Sequence, residues 1–224
     1  MINEIFIDDD SWGNMYVVEI PGGGTLTAEW GNGEIEQATV KIIMFERDGL
    51  NRKIRYERQC NNVRLSTDAE QGITTFGMLT PWTYGFCHYG QVSIDTSRCT
   101  SLEKIWCAKV PSLSLSQNTN LRGLGIWYSD LDDLDLSSNH ALESLQIHNC
   151  NNIQELDLTG CPDLRYLVLR SCPSLRTIVL NEESRLNYVS YNYHTAIAGK
   201  SEDKLLETIA RNGGEVAKIY MGDD

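Results

Sequence analysis

The chain has 224 residues, 41% of them hydrophobic and 22% charged, enough to bury one large core or two smaller ones in a water-soluble fold. Its formal charge is −12, with 19 basic residues scattered among 31 acidic ones, so it lacks the clustered cations that nucleic acid or an anionic membrane surface demands. No apolar run approaches the roughly 18 residues of a membrane span, and seven cysteines, an odd number at modest density, do not make a disulfide scaffold.

The opening Met1-Ile2-Asn3-Glu4 has no basic segment leading into an apolar run, so no signal peptide is visible. The expectation is a chain that stays in the cytoplasm, or an extracytoplasmic, cell-surface one read after removal of its leader. Residues 1–88 lack the periodicity that follows and read as a separate β-rich domain. Thr25 to Trp30 alternates as a strand, Asn32-Gly33 is a hairpin turn, and Ile35 to Met44 reads as the return strand and beyond. The stretch LTAEWGNGEIE, Leu26 to Glu36, resembles the W-G-D-G turn of PKD-like β-sandwich modules, with Asn32 in place of the usual Asp. That resemblance implies a sandwich-like domain of the kind that precedes leucine-rich repeats in secreted Bacteroidetes proteins. A long interval separates this turn from HYGQVSI at 88–94, the candidate closing strand. Trp82, Tyr84, Cys87 and His88 cluster in the same region, where an enzyme's site would sit.

From residue 89 the chain repeats L-x-x-L-x-L. The units Leu131-Leu134-Leu136, Leu142-Leu145-Ile147, Ile153-Leu156-Leu158, Leu164-Leu167-Leu169, Leu175-Ile178-Leu180 and Leu186-Val189-Tyr191 begin eleven residues apart every time. Looser copies precede them at Val92-Ile94, Leu102-Ile105-Cys107, Val110-Leu113-Leu115 and Leu121-Leu124-Ile126. Two such units make one coil of the length a leucine-rich repeat needs, roughly 20 to 29 residues. LDLSSN at 134–139 matches LDLTGC at 156–161, and LQIHNC matches LVLRSC, so two unit types alternate. The expected architecture is mainly β with minor α. A solenoid of about five coils over residues 89–194, built of 11+11 residue half-repeats, carries two short strands per coil on opposite walls. Each L-x-L points inward and the intervening residues point out. The units resemble those of bacterial leucine-rich-repeat proteins with short L-x-x-L-D-L-S-x-N repeats, a scaffold on which many different surfaces are presented.

Asn139, Cys150, Cys161 and Cys172 stand eight residues into their units, at the turn position where a side chain satisfies backbone groups. A zinc site using Cys150 and Cys172 is the alternative, but no C-x-x-C pair accompanies them. Buried thiols are expected, with no metal and no cofactor. GKS at 199–201 lacks the upstream glycine of a phosphate loop, since His194 stands there, and the Asp130–Asp135 cluster has Leu134 and Asp135 where an EF-hand needs a ligand and glycine. The four histidines show no ligand spacing, and no catalytic residue is assigned.

The outward residues differ between the walls. One carries an acidic stripe, Asp133, Asp135, Glu155 and Asp157, whose plain reading is a solvated face and whose functional reading is a cation or basic partner. The other presents Lys104, Trp106, Trp127, His148, Tyr166, Arg170, Tyr188 and Asn192. Aromatic and Arg side chains anchor interfaces, so Trp106, Trp127, His148, Tyr166, Arg170 and Tyr188 form the candidate binding surface. A protein partner is the first expectation and a glycan stacked on Trp106, Trp127 and Tyr166 the second. Residues 195–224 read as a terminal cap: Ser201 as the cap of a helix, Leu205, Leu206, Ile209 and Ala210 as its apolar face, Gly213 as its end, and a short strand from Val216 to Met221. The sequence thus predicts a non-enzymatic recognition module.

Overall fold

The computed structural model describes residues 3–9, 15–30, 33, 35–42, 62–79, 92–192 and 194–219. The strands in chain order are β1 (Asn3–Asp9), β2 (Met15–Trp30), β3 (Ile35–Ile42), β4 (Asn62–Thr67), β5 (Thr75–Leu79), β6 (Val92–Asp95), β7 (Lys104–Ala108), β8 (Gly123–Trp127), β9 (Ser144–His148), β10 (Glu155–Leu158), β11 (Tyr166–Arg170), β12 (Thr177–Leu180) and β13 (Tyr188–Asn192). Helix α1 (Lys200–Arg211) and β14 (Glu215–Ile219) close the chain.

Strands β7, β8, β9, β11 and β13 pair in parallel, in order, in one sheet, and β14 adds to its end. Four full turns of the chain separate β7 from β13, so the fold is a parallel β-solenoid whose coils carry the leucine repeat. Its register stacks like on like. Ile105, Leu124, Leu145, Leu167 and Val189 form one inward row, and Cys107, Ile126, Ile147, Leu169 and Tyr191 the other. These residues are all buried. A one-residue slip would turn both rows to solvent, which is why the repeat fixes the register. The opposite wall holds the parallel pair β10–β12, with Leu156 on Ile178 and Leu158 on Leu180. Earlier on that wall, Leu115, Leu131, Leu134 and Leu136 still point into the core although their segments form no strand. Pro111 follows Val110 there and removes one donor from any ladder.

The amino-terminal strands run in the same sheet. The order β7–β5–β2–β4–β1–β6 is continuous, with β5 parallel to β7 and the other pairs antiparallel, while β3 lies on β2. The 16-residue β2 makes this possible. Its first part pairs with β5 and its second with β4. β5 extends the parallel wall, and β6 holds the first unit of the opposite one. The antiparallel strands therefore lead from one wall to the other across the first coil, and Ile5, Ile7, Val18, Leu65 and Phe76 join the same core as the repeat leucines. The sequence pattern changes near residue 88, and the strands described on the two sides of it share one sheet and one core. The inferred hairpin is present as β2–β3, with Gly33 at φ 86° between them. Asn32 and Met44 lie outside the described residues, as do Trp82, Tyr84, Cys87 and His88.

At the other end, Leu205, Thr208 and Ile209 of α1 are buried against the last coil. Ser201 does not cap this helix. Gly199 occupies the cap position with φ 61°, and the Ser201 hydroxyl instead accepts from the Ile178 N–H at 3.2 Å, tying the helix to β12. Gly213, at φ 65°, ends α1 in a Schellman turn: its N–H donates to the Ala210 carbonyl and the Gly214 N–H to that of Ile209.

Two corner ladders stack the coils. In one, the Asn118 amide donates to the carbonyls of Thr96 and Cys99, and the Asn139 amide to those of Leu115 and Asn118. Next in this column, the Cys161 thiol donates to the Leu136 carbonyl. In the other, Cys150, Cys172 and Thr195 donate to carbonyls of the preceding coil, at Ile126, Ile147 and Leu169. Burial pushes the Cys150 and Cys161 thiols up to about 12 and Cys172 to about 11. A thiol reagent at pH 8 should therefore leave all three unlabelled in the folded protein and reach them on denaturation; rapid labelling of any one under native conditions would contradict its place in the ladder.

The acidic stripe is also tied to the turns. Asp157 Oδ1 accepts from the N–H and hydroxyl of Thr159 at 2.9 and 2.6 Å, and Asp135 Oδ1 from the Ser137 N–H at 2.9 Å. Outward orientation alone predicts that Asp157 is energetically silent. Its turn bonds instead give Asp157→Ala a cost of about 1 kcal/mol. Leu156→Ala, which empties the core one residue away, should cost about 2 to 5 kcal/mol. Chemical denaturation of the two variants will show this ordering if the register is right, and equal losses if it is not.

Candidate functional site

The parallel sheet from β7 to β13 has three outward rows, because side chains alternate along each strand. The first row runs Lys104, Gly123, Ser144, Tyr166, Tyr188. The middle row runs Trp106, Gly125, Gln146, Val168, Ser190, and the third Ala108, Trp127, His148, Arg170, Asn192. All six expected binding residues thus fall on one face, in three different rows. Tyr166 is the most exposed of them at 51%, and Trp106, Trp127, His148, Arg170 and Tyr188 are half-buried. The described amino-terminal strands extend this wall at its β7 edge and leave these rings partly open.

Glycines make room for the tryptophans. Trp106 has Gly77 of β5 on one side and Gly125 of β8 on the other in the middle row. A methyl group at Gly125 would lie 2.3 Å from the Trp127 ring and 2.6 Å from that of Trp106, so both indoles rest over this residue. A glycine inside a central strand weakens it unless something packs over the gap, and here two indoles do. Trp127 continues into His148 at 5.8 Å between centroids, and Tyr166 and Tyr188 pair at 6.0 Å.

The backbone beneath the third row is fixed by an unusual corner. Lys109, Tyr128, Asn149 and Ser171, each one residue past its strand, have φ between 50° and 59°. Such a left-handed residue without glycine costs roughly 1 to 2 kcal/mol. Their N–H groups are held by the next coil: Lys109, Tyr128 and Asn149 donate to the carbonyls of Trp127, His148 and Arg170, and Ser171 donates to Asn192 Oδ1 at 2.9 Å. The side chains of the third row are therefore mounted on carbonyls that cannot drift.

The electrostatics of the two faces are opposite. On the five strands the outward positions carry two cations, Lys104 and Arg170, and no carboxylate. Among the described residues Arg170 has no acidic partner. Burial and the adjacent Arg170 charge push His148 down to about 4, so its ring is neutral at physiological pH. Glu215 of β14 stands beside Tyr188, while the acidic stripe faces the other way, with Asp133, Asp135, Glu155 and Asp157 all exposed on the β10–β12 side. There the hydrogen bonds from Ser137 and Thr159 hold the Asp135 and Asp157 carboxyls below the usual carboxylate range.

The sequence reading missed the orphaned polar atoms. Four described polar side-chain atoms are buried without a hydrogen-bond partner: Asn139 Oδ1 belongs to a corner ladder, and His148 Nε2, Arg170 Nε and Ser190 Oγ belong to this wall. Sequence spacing places the three residues on the face, but it does not say which of them are left unpaired. Among the described residues no three His, Cys, Asp or Glu converge as a metal site requires, and no helix is long and apolar enough to cross a membrane.

Among solved structures the chain is similar to the functional domain of InlJ from Listeria monocytogenes, described as including a cysteine ladder. The identity is 26% and the TM-score 0.33; the match covers 44% of this chain and 27% of that one, so this chain spans well under two thirds of its length. No family model matches, and no curated protein does.

The sign of the His148 effect follows from its lowered value. As pH falls below about 6.5 the unfolded chain takes up a proton that the folded chain refuses until about 4, so stability is lost across that window. An NMR titration should place the His148 midpoint near 4. His148→Gln should remove that share of the acid sensitivity, and a midpoint at the ordinary histidine value would mean the ring is not held as described.

Proposed function

We propose that this protein is a non-enzymatic recognition module that binds another protein through the outward face of β7, β8, β9, β11 and β13. The observation that carries the reading is the composition of that face. It joins two tryptophans seated over Gly125, two tyrosines in contact, and an arginine that has no acidic partner among the described residues, on a backbone fixed at every coil. Trp, Tyr and Arg supply most of the energy in protein interfaces. Rigid mounting reduces the entropy lost on binding. The bacterial, surface-displayed setting is part of the same proposal and rests on the L-x-x-L-D-L units shared with such proteins.

The test is a photo-crosslinking residue placed at Gln146, in the middle row beside Gly125, with a control at Glu155 on the acidic wall. The expected result is a discrete protein adduct from position 146, absent from 155. Trp127→Ala should abolish it while moving the melting temperature by only a few degrees. Adducts from 155 alone would transfer the function to the acidic wall. Glycan-array binding that depends on Trp127, with no protein adduct, would make the module a lectin and overturn the proposal.

A further inference from the structure

Three buried polar atoms without partners sit on one outward face. Such groups are rare, since leaving one unpaired costs most of its lost hydration. His148 and Arg170 are cross-strand partners in the third row, on β9 and β11. Ser190 is the cross-strand partner of Val168, two residues before Arg170 on the same face. With strands roughly 4.8 Å apart, the three side chains span one contiguous patch two strand spacings wide. Ser190 is 1% exposed although its row points outward.

The chemistry of the set is that of a donor cluster. The Arg170 Nε–H can only donate, the Ser190 hydroxyl can donate, and the neutral His148 ring can present an N–H at Nε2 in one of its tautomers. No carboxylate occupies any outward position of the five strands, although the chain as a whole carries a charge of −12. The five strands bring no carboxylate to these donors: Glu215 of β14 stands beside Tyr188 in the first row, and the acidic stripe lies on the opposite side.

The geometry points to a carboxylate site: resting on the proposed protein-binding reading, we infer that His148, Arg170 and Ser190 receive an acidic side chain of the partner protein. The carboxylate takes the donors of Arg170, His148 and Ser190, and the aliphatic part of that side chain lies against Trp127 and Val168. Arg170 is half-exposed with its Nε buried, and the side chain shifts to open that donor as the acid enters. The site thus gains hydrogen bonds that the free protein does not make. Charge-assisted pairs of this kind are the strong ones.

The experiment uses acetate as the minimal carboxylate and acetamide as its neutral counterpart, each titrated into the whole chain and followed by the Arg170 Nε–H and His148 ring resonances. Acetate should shift both saturably, and acetamide should not. Arg170→Gln should weaken acetate binding roughly tenfold, the loss of one charge-assisted hydrogen bond, whereas Arg122→Gln, a paired surface cation, should leave it unchanged. Ser190→Ala separates this role from a structural one. Removing an orphaned buried hydroxyl should leave the melting temperature unchanged or higher while acetate binding weakens. Silent resonances, an equal response to acetamide, or tighter binding of inorganic phosphate than of acetate would each overturn the inference. A protein adduct at position 146 combined with silent resonances would defeat the carboxylate site and leave the protein-binding reading standing.

Discussion

Each coil of this protein must turn two corners, and at every corner the backbone carbonyls of the previous coil face inward without strand partners. The two corner ladders meet that demand. An asparagine amide carries two protons and so serves two carbonyls at once, as Asn118 and Asn139 do. A thiol offers one weak donor, but it is small and apolar enough to stay buried without further partners. The change from Asn118 and Asn139 to Cys161 within one ladder, and the run from Cys150 through Cys172 to Thr195 in the other, are alternative answers to one requirement. Because each of these side chains reaches back by about one coil, the ladder sets the stacking. The leucine rows then fill the space it encloses.

This constraint explains why so much of the fold was legible in the sequence. The ladder residue and the L-x-x-L-x-L unit recur at a fixed interval, so an aligned sequence is already a register, and Leu145, Leu167 and Val189 stack as their spacing requires. What was not legible lies where the interval gives no information. Nothing in Thr75 to Leu79 announces that it will pair in parallel with Lys104 to Ala108, because a five-residue strand carries no mark of its partner. Ser201 has the type and position of a helix cap, yet the N–H of Ile178, some twenty residues earlier, claims its hydroxyl. Asp135 and Asp157 read as a charged stripe because alternation shows that they point outward, but it does not show that Ser137 and Thr159 bind them. Long-range claims on side chains are what one-dimensional patterns omit.

The same separation applies to the aromatic wall. Inward positions belong to the scaffold, so any other use of the coil must be written in the outward ones. On the acidic side these are absorbed by turn hydrogen bonds, which gives Asp135 and Asp157 a structural occupation. On the aromatic side Asn192 is occupied in this way, accepting from the Ser171 N–H, whereas no such bond is described for the Arg170 and His148 side chains. Gly125 gives up strand propensity in the middle of a sheet. Arg170 is a cation with no described acidic partner, and three of the four described polar atoms buried without hydrogen bonds lie here, the fourth being Asn139 Oδ1 in a corner ladder. Each of these lowers the stability of the free protein, and none is needed to close a coil. Local departures from what folding favours concentrate where a protein meets something else. Here they lie beside one another on a surface whose backbone is pinned from β7 to β11 by a left-handed residue and a cross-coil hydrogen bond at each strand end. That coincidence, more than the number of rings, is the reason to propose recognition on this wall and to regard its opposite as part of the solenoid's own construction.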